Sequence, residues 1–195
     1  TKLDATPVLA KSSASSNILI GGMGAAGRGY YALDVTGGAK GLSQGDLVSR
    51  VKWTFPKASD AANRALMGYT SGTPVVVRTP ANKYVALVTS GYDNGQSIGD
   101  GKGRVWMLDL DTGEPDHTFV TTEGAVSAEA GLARLSAMLE PDGTVRYAYG
   151  GDLLGNLWRF DLKGKGAPLS VATLLGPTGL AQPVTAAPEL LNRNG

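Results

Sequence analysis

Several residue groups in this chain have types and spacings that suit chemistry. Gly22-Met23-Gly24-Ala25-Ala26-Gly27 follows the apolar run Asn17 to Ile20 and matches G-x-G-x-x-G, the opening of a dinucleotide-binding turn. That chemistry needs a helix to begin inside the glycine turn and aim its first amides at a pyrophosphate. The residues that follow, Arg28 to Gly38, have strand composition with Gly at both ends, so the motif reads as a tight turn between strands. The loop Asp93 to Gly101 offers oxygen ligands, but only Asp93, Ser97 and Asp100 as side-chain donors. Calcium prefers six to eight oxygens, so such a loop holds the ion weakly at most, and a solvated hairpin loop is the simpler reading. Asp34, Asp109 and Asp161 resemble a set of acids, yet each ends the same strand motif, which assigns them to accepting backbone N–H groups at strand ends. His117 is the one histidine, and Pro115-Asp116-His117 reads as a turn entering a strand rather than as part of a triad. No cysteine is present, which removes disulfides, thiolate metal sites and a thiol nucleophile. Trp53, Trp106 and Trp158 recur within the strand pattern and read as core residues rather than a stacking platform. No catalytic residue is assigned.

The elements that carry these residues are strands. Among 195 residues there are 28 Gly and 10 Pro, a composition that disfavours a helical bundle. Hydrophobic residues at 42% and charged residues at 18% suit a globular core, and the net charge of +1 lacks a basic stretch for nucleic acid or an anionic membrane. No initiator Met, basic n-region or apolar h-region is seen, which places any signal peptide upstream or already removed. Gly166 to Pro188 carries no charge, but Pro168, Pro177, Pro183 and Pro188 rule out a continuous spanning helix. This stretch reads as strands and turns.

A repeat organises the chain. Tyr30 to Val35, Val105 to Leu110 and Leu157 to Leu162 are apolar or aromatic segments reaching Asp. Before each lies a strand-like run, at Asn17 to Gly22, Lys83 to Tyr92 and Val145 to Gly151, and before those Ala5 to Ala10, Thr73 to Val77 and Leu132 to Leu139. Val51 to Phe55 and His117 to Val120 add fourth strands to the first two units. Four short strands per unit joined by Gly, Asp and Asn turns describe the blade of an all-β propeller. The pattern predicts three blade-like units at about 4–55, 72–122 and 130–175 and an extra strand at 182–191, which reads as part of a larger propeller, since closed rings have roughly four to eight blades. The interval from Asp34 to Asp109 exceeds that from Asp109 to Asp161, which places an insertion at Ala58 to Leu66, as a short surface helix. The loops 93–101 and 56–71 are the surfaces on which partners are expected.

Three motifs in order, Gly21 to Thr36, Met67 to Pro74, and Tyr149-Gly150-Gly151-Asp152-Leu153-Leu154-Gly155-Asn156-Leu157-Trp158-Arg159-Phe160-Asp161-Leu162, resemble the C-terminal β-propeller of the PilC/PilY type IV pilus proteins. The resemblance covers essentially the whole chain and implies a modified, quinoprotein-like propeller that is not an enzyme. It implies an exported bacterial protein at the pilus tip, the outer membrane surface or the periplasm. Its implied partners are pilins or minor pilins, the rest of its own chain, and host-cell or surface receptors; its implied roles are pilus assembly against retraction, twitching motility and adhesion. The family often carries a calcium loop, D-x-D-x-D-G-x-x-D, before the third motif. Here those positions fall on Met138, Glu140, Asp142, Gly143 and Arg146, so Glu140-Pro141-Asp142-Gly143 reads as a plain hairpin turn. Any ion would involve Asp142 and Glu140, or Asp93, Ser97 and Asp100. The alternatives are a quinoprotein dehydrogenase using PQQ, which needs a stacking Trp, a liganded metal and often a vicinal disulfide, and a periplasmic scaffold propeller for outer-membrane assembly.

Overall fold

The computed structural model describes residues 3–13, 16–38, 43–95, 99–162, 172–178 and 182–191. Three four-stranded antiparallel sheets follow one another along the chain, each an up-and-down meander. Blade 1 holds β1 (Val8–Ser13), β2 (Ser16–Gly22), β3 (Tyr30–Asp34) and β4 (Val51–Phe55). Blade 2 holds β5 (Val75–Arg78), β6 (Tyr84–Thr89), β7 (Arg104–Asp109) and β8 (Pro115–Val120). Blade 3 holds β9 (Leu135–Leu139), β10 (Val145–Gly151), β11 (Asn156–Asp161) and β12 (Thr173–Pro177). The strands expected from the repeat are present, with ends displaced by a few residues.

Burial explains the two kinds of strand pattern. Val85-Ala86-Leu87-Val88 and Val105-Trp106-Met107-Leu108 are continuous apolar runs, and every one of these side chains is buried. Period-two geometry sends neighbours to opposite faces, so such a run requires cover on both sides. Ala86, Val88, Trp106 and Leu108 pack with Ile18, Ile20, Tyr30, Trp53 and Phe55 of blade 1. Val85, Leu87, Val105 and Met107 pack with Val145, Ala148, Trp158 and Phe160 of blade 3. Blades 1 and 3 alternate instead: β3 and β11 bury every second residue. On the outer face of blade 1, the ladder aligns Leu9 with Leu19, Leu19 with Leu33, and Leu33 with Val51, and Leu9 remains 64% exposed.

Among the described residues, two helices lie outside the strands, one within the meander of blade 1 and one between blades 1 and 2. The insertion expected at Ala58 to Leu66 folds as α2 (Ala61–Leu66), capped by Asp60, whose carboxylate accepts the Asn63 N–H at 3.0 Å. A second helix, α1 (Gln44–Ser49), sits between β3 and β4 and is not foreseen by the repeat. Ser43 and Asp46 form a reciprocal capping pair at its start, the Asp46 N–H donating to Ser43 Oγ at 3.2 Å and the Ser43 N–H to Asp46 Oδ2 at 2.8 Å. The extra strand expected at 182–191 is corrected: the segment makes no ladder pairing. Pro183 and Pro188 lack the donors a ladder needs. It is tied to blade 3 by the Val184 N–H donating to Asp152 O at 2.8 Å.

Thr89, at the end of β6, joins all three blades. It lies opposite Tyr30 of blade 1, whose hydroxyl donates to Thr89 O at 3.0 Å, and its own Oγ1 donates to Ala133 O, ahead of β9, at 2.8 Å. Tyr30 is buried, and desolvation pushes its hydroxyl pKa from 10.0 up to about 12. The native state therefore retains a proton that the unfolded chain loses, so stability is complete below pH 10.0 and falls as pH rises toward about 12. The loss reaches about 3 kcal/mol across that window. Urea unfolding across this alkaline range should show that decline in the wild type and a flatter profile in Tyr30→Phe.

Candidate interaction face

The loops β2–β3, β6–β7 and β10–β11 and the crossovers between blades meet at one end of the sheets. The glycine turn 22–27 is the first of them. No helix starts there: the Met23 N–H donates to Gly29 O at 3.0 Å and the Gly24 N–H to Thr70 O at 3.1 Å, while Asp4 Oδ1 accepts the Ala25 N–H at 2.8 Å. The amides that would cradle a phosphate are taken by protein oxygens. A Cβ on Gly22 would stand 2.3 Å from Thr70 O, which explains the glycine without a nucleotide.

Arg28 leaves this turn and closes the face. Its Nη1 donates to Asp93 O at 2.8 Å and Met67 O at 3.3 Å, its Nη2 meets Asp93 Oδ2 at 2.5 Å, and its guanidinium lies 4.7 Å over the Tyr69 ring. Asp93, a candidate calcium ligand by sequence, is thus an arginine partner. Asp100 is another: Arg104 grips it through 2.7 and 2.6 Å bonds, and these hold its carboxyl below the usual range. Ser97 lies outside the described residues. The described residues of this loop are tied to the fold rather than solvated: Asn94 is fully buried and its Nδ2 donates to Lys102 O at 2.7 Å and Leu66 O at 3.4 Å. Among the described residues, no group of three His, Asp or Glu side chains is placed to hold a metal.

The second candidate set lies at the β9–β10 hairpin, away from this face. Gly143 adopts a φ of 78° and its N–H donates to Glu140 O at 2.8 Å, closing the turn with Pro141 at its first corner. Asp142 Oδ1 accepts the Thr144 hydroxyl at 2.6 Å and the Thr144 N–H at 2.8 Å, and these bonds hold its carboxyl below the usual range. Glu140 faces Arg146 at 3.5 Å, and Met138 stands in β9 opposite Tyr147. These residues do not fit the calcium loop that the family resemblance implies: a thioether and a guanidinium occupy positions that need carboxylates.

The remaining candidates hold structure. Asp34 Oδ1 accepts the Thr36 N–H at 2.8 Å, and Asp109 Oδ1 accepts the Asp111 and Thr112 N–H groups at 2.9 and 2.8 Å, the strand-end role expected of them. Asp161 closes β11 opposite Tyr147. His117 lies in β8 across from Met107 with its ring 4.5 Å from Phe119, and burial pushes its pKa down. All three tryptophans are buried, and their indole N–H groups donate to Leu110 O, Asn63 Oδ1 and Asp152 Oδ2.

Asp152 is the residue that reading for chemistry overlooks. It is fully buried and its carboxylate accepts from the Leu154 N–H, the Asn156 N–H, Asn156 Nδ2 and Trp158 Nε1 at 2.7 to 3.0 Å. The signal is the spacing itself, in which Asp152, Gly155, Asn156 and Trp158 supply acceptor, turn and donors within seven residues. Gly155 takes the positive φ of 83° that the turn requires.

Successive four-stranded meanders, stacked face to face and sewn together at their ends, make this a β-propeller domain. The model for the PilY1 beta-propeller domain matches residues 2–192, and the chain belongs to that family. It is 30% identical over 196 residues to a type IV pilus biogenesis factor PilY1 homolog of Xylella fastidiosa, covering 89% of this chain and 12% of that protein. It is 34% identical over 166 residues to the type IV pilus biogenesis factor PilY1 of Pseudomonas aeruginosa strain UCBPP-PA14, covering 83% of this chain and 13% of that protein. The crystal structure of the Pseudomonas aeruginosa PilY1 C-terminal domain superposes with a TM-score of 0.65 at 30% identity, covering 82% of this chain and 30% of the solved one. The chain thus spans only a small part of each relative's length.

Two substitutions separate buried from surface electrostatics. Asp152→Ala strands four donors and should cost about 3 kcal/mol or more in urea unfolding. Arg28→Ala breaks a partly exposed ion pair and a cation–π contact and should cost about 1 kcal/mol. The reverse order would contradict the reading of Asp152 as a buried carboxylate that four donors depend on.

Proposed function

We propose that this chain is a non-enzymatic binding domain of a type IV pilus biogenesis factor. The observation that carries the reading is the family match along residues 2–192, joined to relatives named as pilus biogenesis factors. The side chains are consistent with it: Asp93, Asp100, Asp142 and Asp152 are committed to arginines, hydroxyls or amides rather than converging on a reacting centre. On this reading the units 4–55, 72–122 and 130–175 are blades of one propeller. The domain works outside the cytoplasm, at the pilus tip, the outer membrane surface or the periplasm, and no helix among the described residues is long and apolar enough to cross a membrane. Its partners are pilins or minor pilins, the rest of its own chain and surface or host-cell receptors. Through them it supports pilus assembly against retraction, twitching motility and adhesion. The insertion 56–71, which carries α2 and the partly exposed Tyr69, is the surface offered to a partner.

The test is genetic. Deleting the coding segment in the bacterium that encodes it should remove surface pili and twitching, and blocking retraction in the same strain should return the pili without the motility. Unchanged piliation in the deletion strain overturns the reading. So does dye reduction by the purified chain with added pyrroloquinoline quinone and calcium, which belongs to a dehydrogenase.

A further inference from the structure

The β9–β10 turn is flanked by positive charge from two blades. On one side, Arg146 Nη1 stands 3.5 Å from Glu140 Oε1, and its guanidinium lies 5.0 Å over the Tyr147 ring. On the other, Arg78 reaches across from β5, where its backbone bridges Thr144, and its Nη2 donates to the carbonyl of Asp142. Asn82 Oδ1 steadies the same guanidinium from 3.1 Å. Between the two arginines, Asp142 keeps its Oδ1 on Thr144. A divalent cation holds an acidic turn by neutralising its carboxylates and binding its carbonyl oxygens. Here two guanidiniums bring the same total charge and already occupy one such carbonyl, and their like charge would repel an incoming cation.

We propose that Arg146 and Arg78 are the built-in counter-charge of the β9–β10 turn, so that this hairpin is set by the fold and does not respond to calcium. The arginine from blade 2 also makes the turn part of the seam between blades 2 and 3. The proposal concerns the turn alone and stands or falls separately from the pilus assignment.

Hydrogen exchange of the Glu140 and Thr144 amides in the 195-residue chain, with calcium as the added probe, tests it. In the wild type, exchange is the same in calcium as in chelator, and calorimetry registers no one-to-one binding at about 1 mM calcium. Arg146→Gln accelerates exchange at these amides about threefold relative to the central strands, the effect of losing one partly exposed ion pair. Arg146→Lys, which keeps the charge, restores most of the protection. One-to-one calcium binding by the wild type that Asp142→Asn abolishes overturns the proposal, as does calcium-dependent exchange in the wild type. Unchanged exchange in a folded Arg146→Gln variant overturns it equally.

Discussion

Blade 2 has no face turned to water, and the rest of the structure follows from that constraint. Its two central strands each carry four successive buried apolar residues, Val85 to Val88 and Val105 to Leu108, so sheets must cover both sides. Blade 1 supplies one cover and blade 3 the other, each presenting the buried half of an alternating pattern. Such a stack creates a polar problem at its edges, because large indoles enter the seams with N–H groups that water cannot reach. Each is answered by a different device: the carbonyl of Leu110 for Trp53, the inserted helix through Asn63 for Trp106, and the buried carboxylate of Asp152 for Trp158. The insertion after β4 and the motif after β10 are therefore two solutions to one demand.

Charge is used in the same manner. Arg28 ties the first glycine turn to Asp93, Arg104 ties Asp100 to its own strand, and Arg78 ties blade 2 to the turn of blade 3. Carboxylates that resemble metal ligands when listed along the chain are in space the acceptors of arginines and amides. A surface arranged in this way has a fixed shape, with its charged groups held in place by the fold.

Much of this was legible beforehand because it is local. Strand alternation, Gly at positive φ and Asp beside a Gly turn are properties of a few neighbouring residues. The three meanders, the helix after Asp60 and the strand-end roles of Asp34 and Asp109 are of this kind. The helix α1 is also locally signalled, by Ser43 and Asp46, but it lies between two strands of one blade, where the repeat has no element. The segment 182–191 has strand-like residues, and its prolines decide against a ladder.

Position within the repeat does not settle burial. Counted back from the repeat aspartate, Tyr31 and Leu33 hold the places of Trp106 and Leu108 and of Trp158 and Phe160, yet they are only half-buried while the other four are buried. The difference lies in what each sheet faces. Pairings such as Arg28 with Asp93 and Arg78 with Asp142 join residues 65 and 64 positions apart. The sequence alone determined the blades, because their period and turns are written in adjacent residues. Only the tertiary structure decided which faces are dry and which loop or turn each of these arginines reaches, because those depend on how one blade is laid against the next.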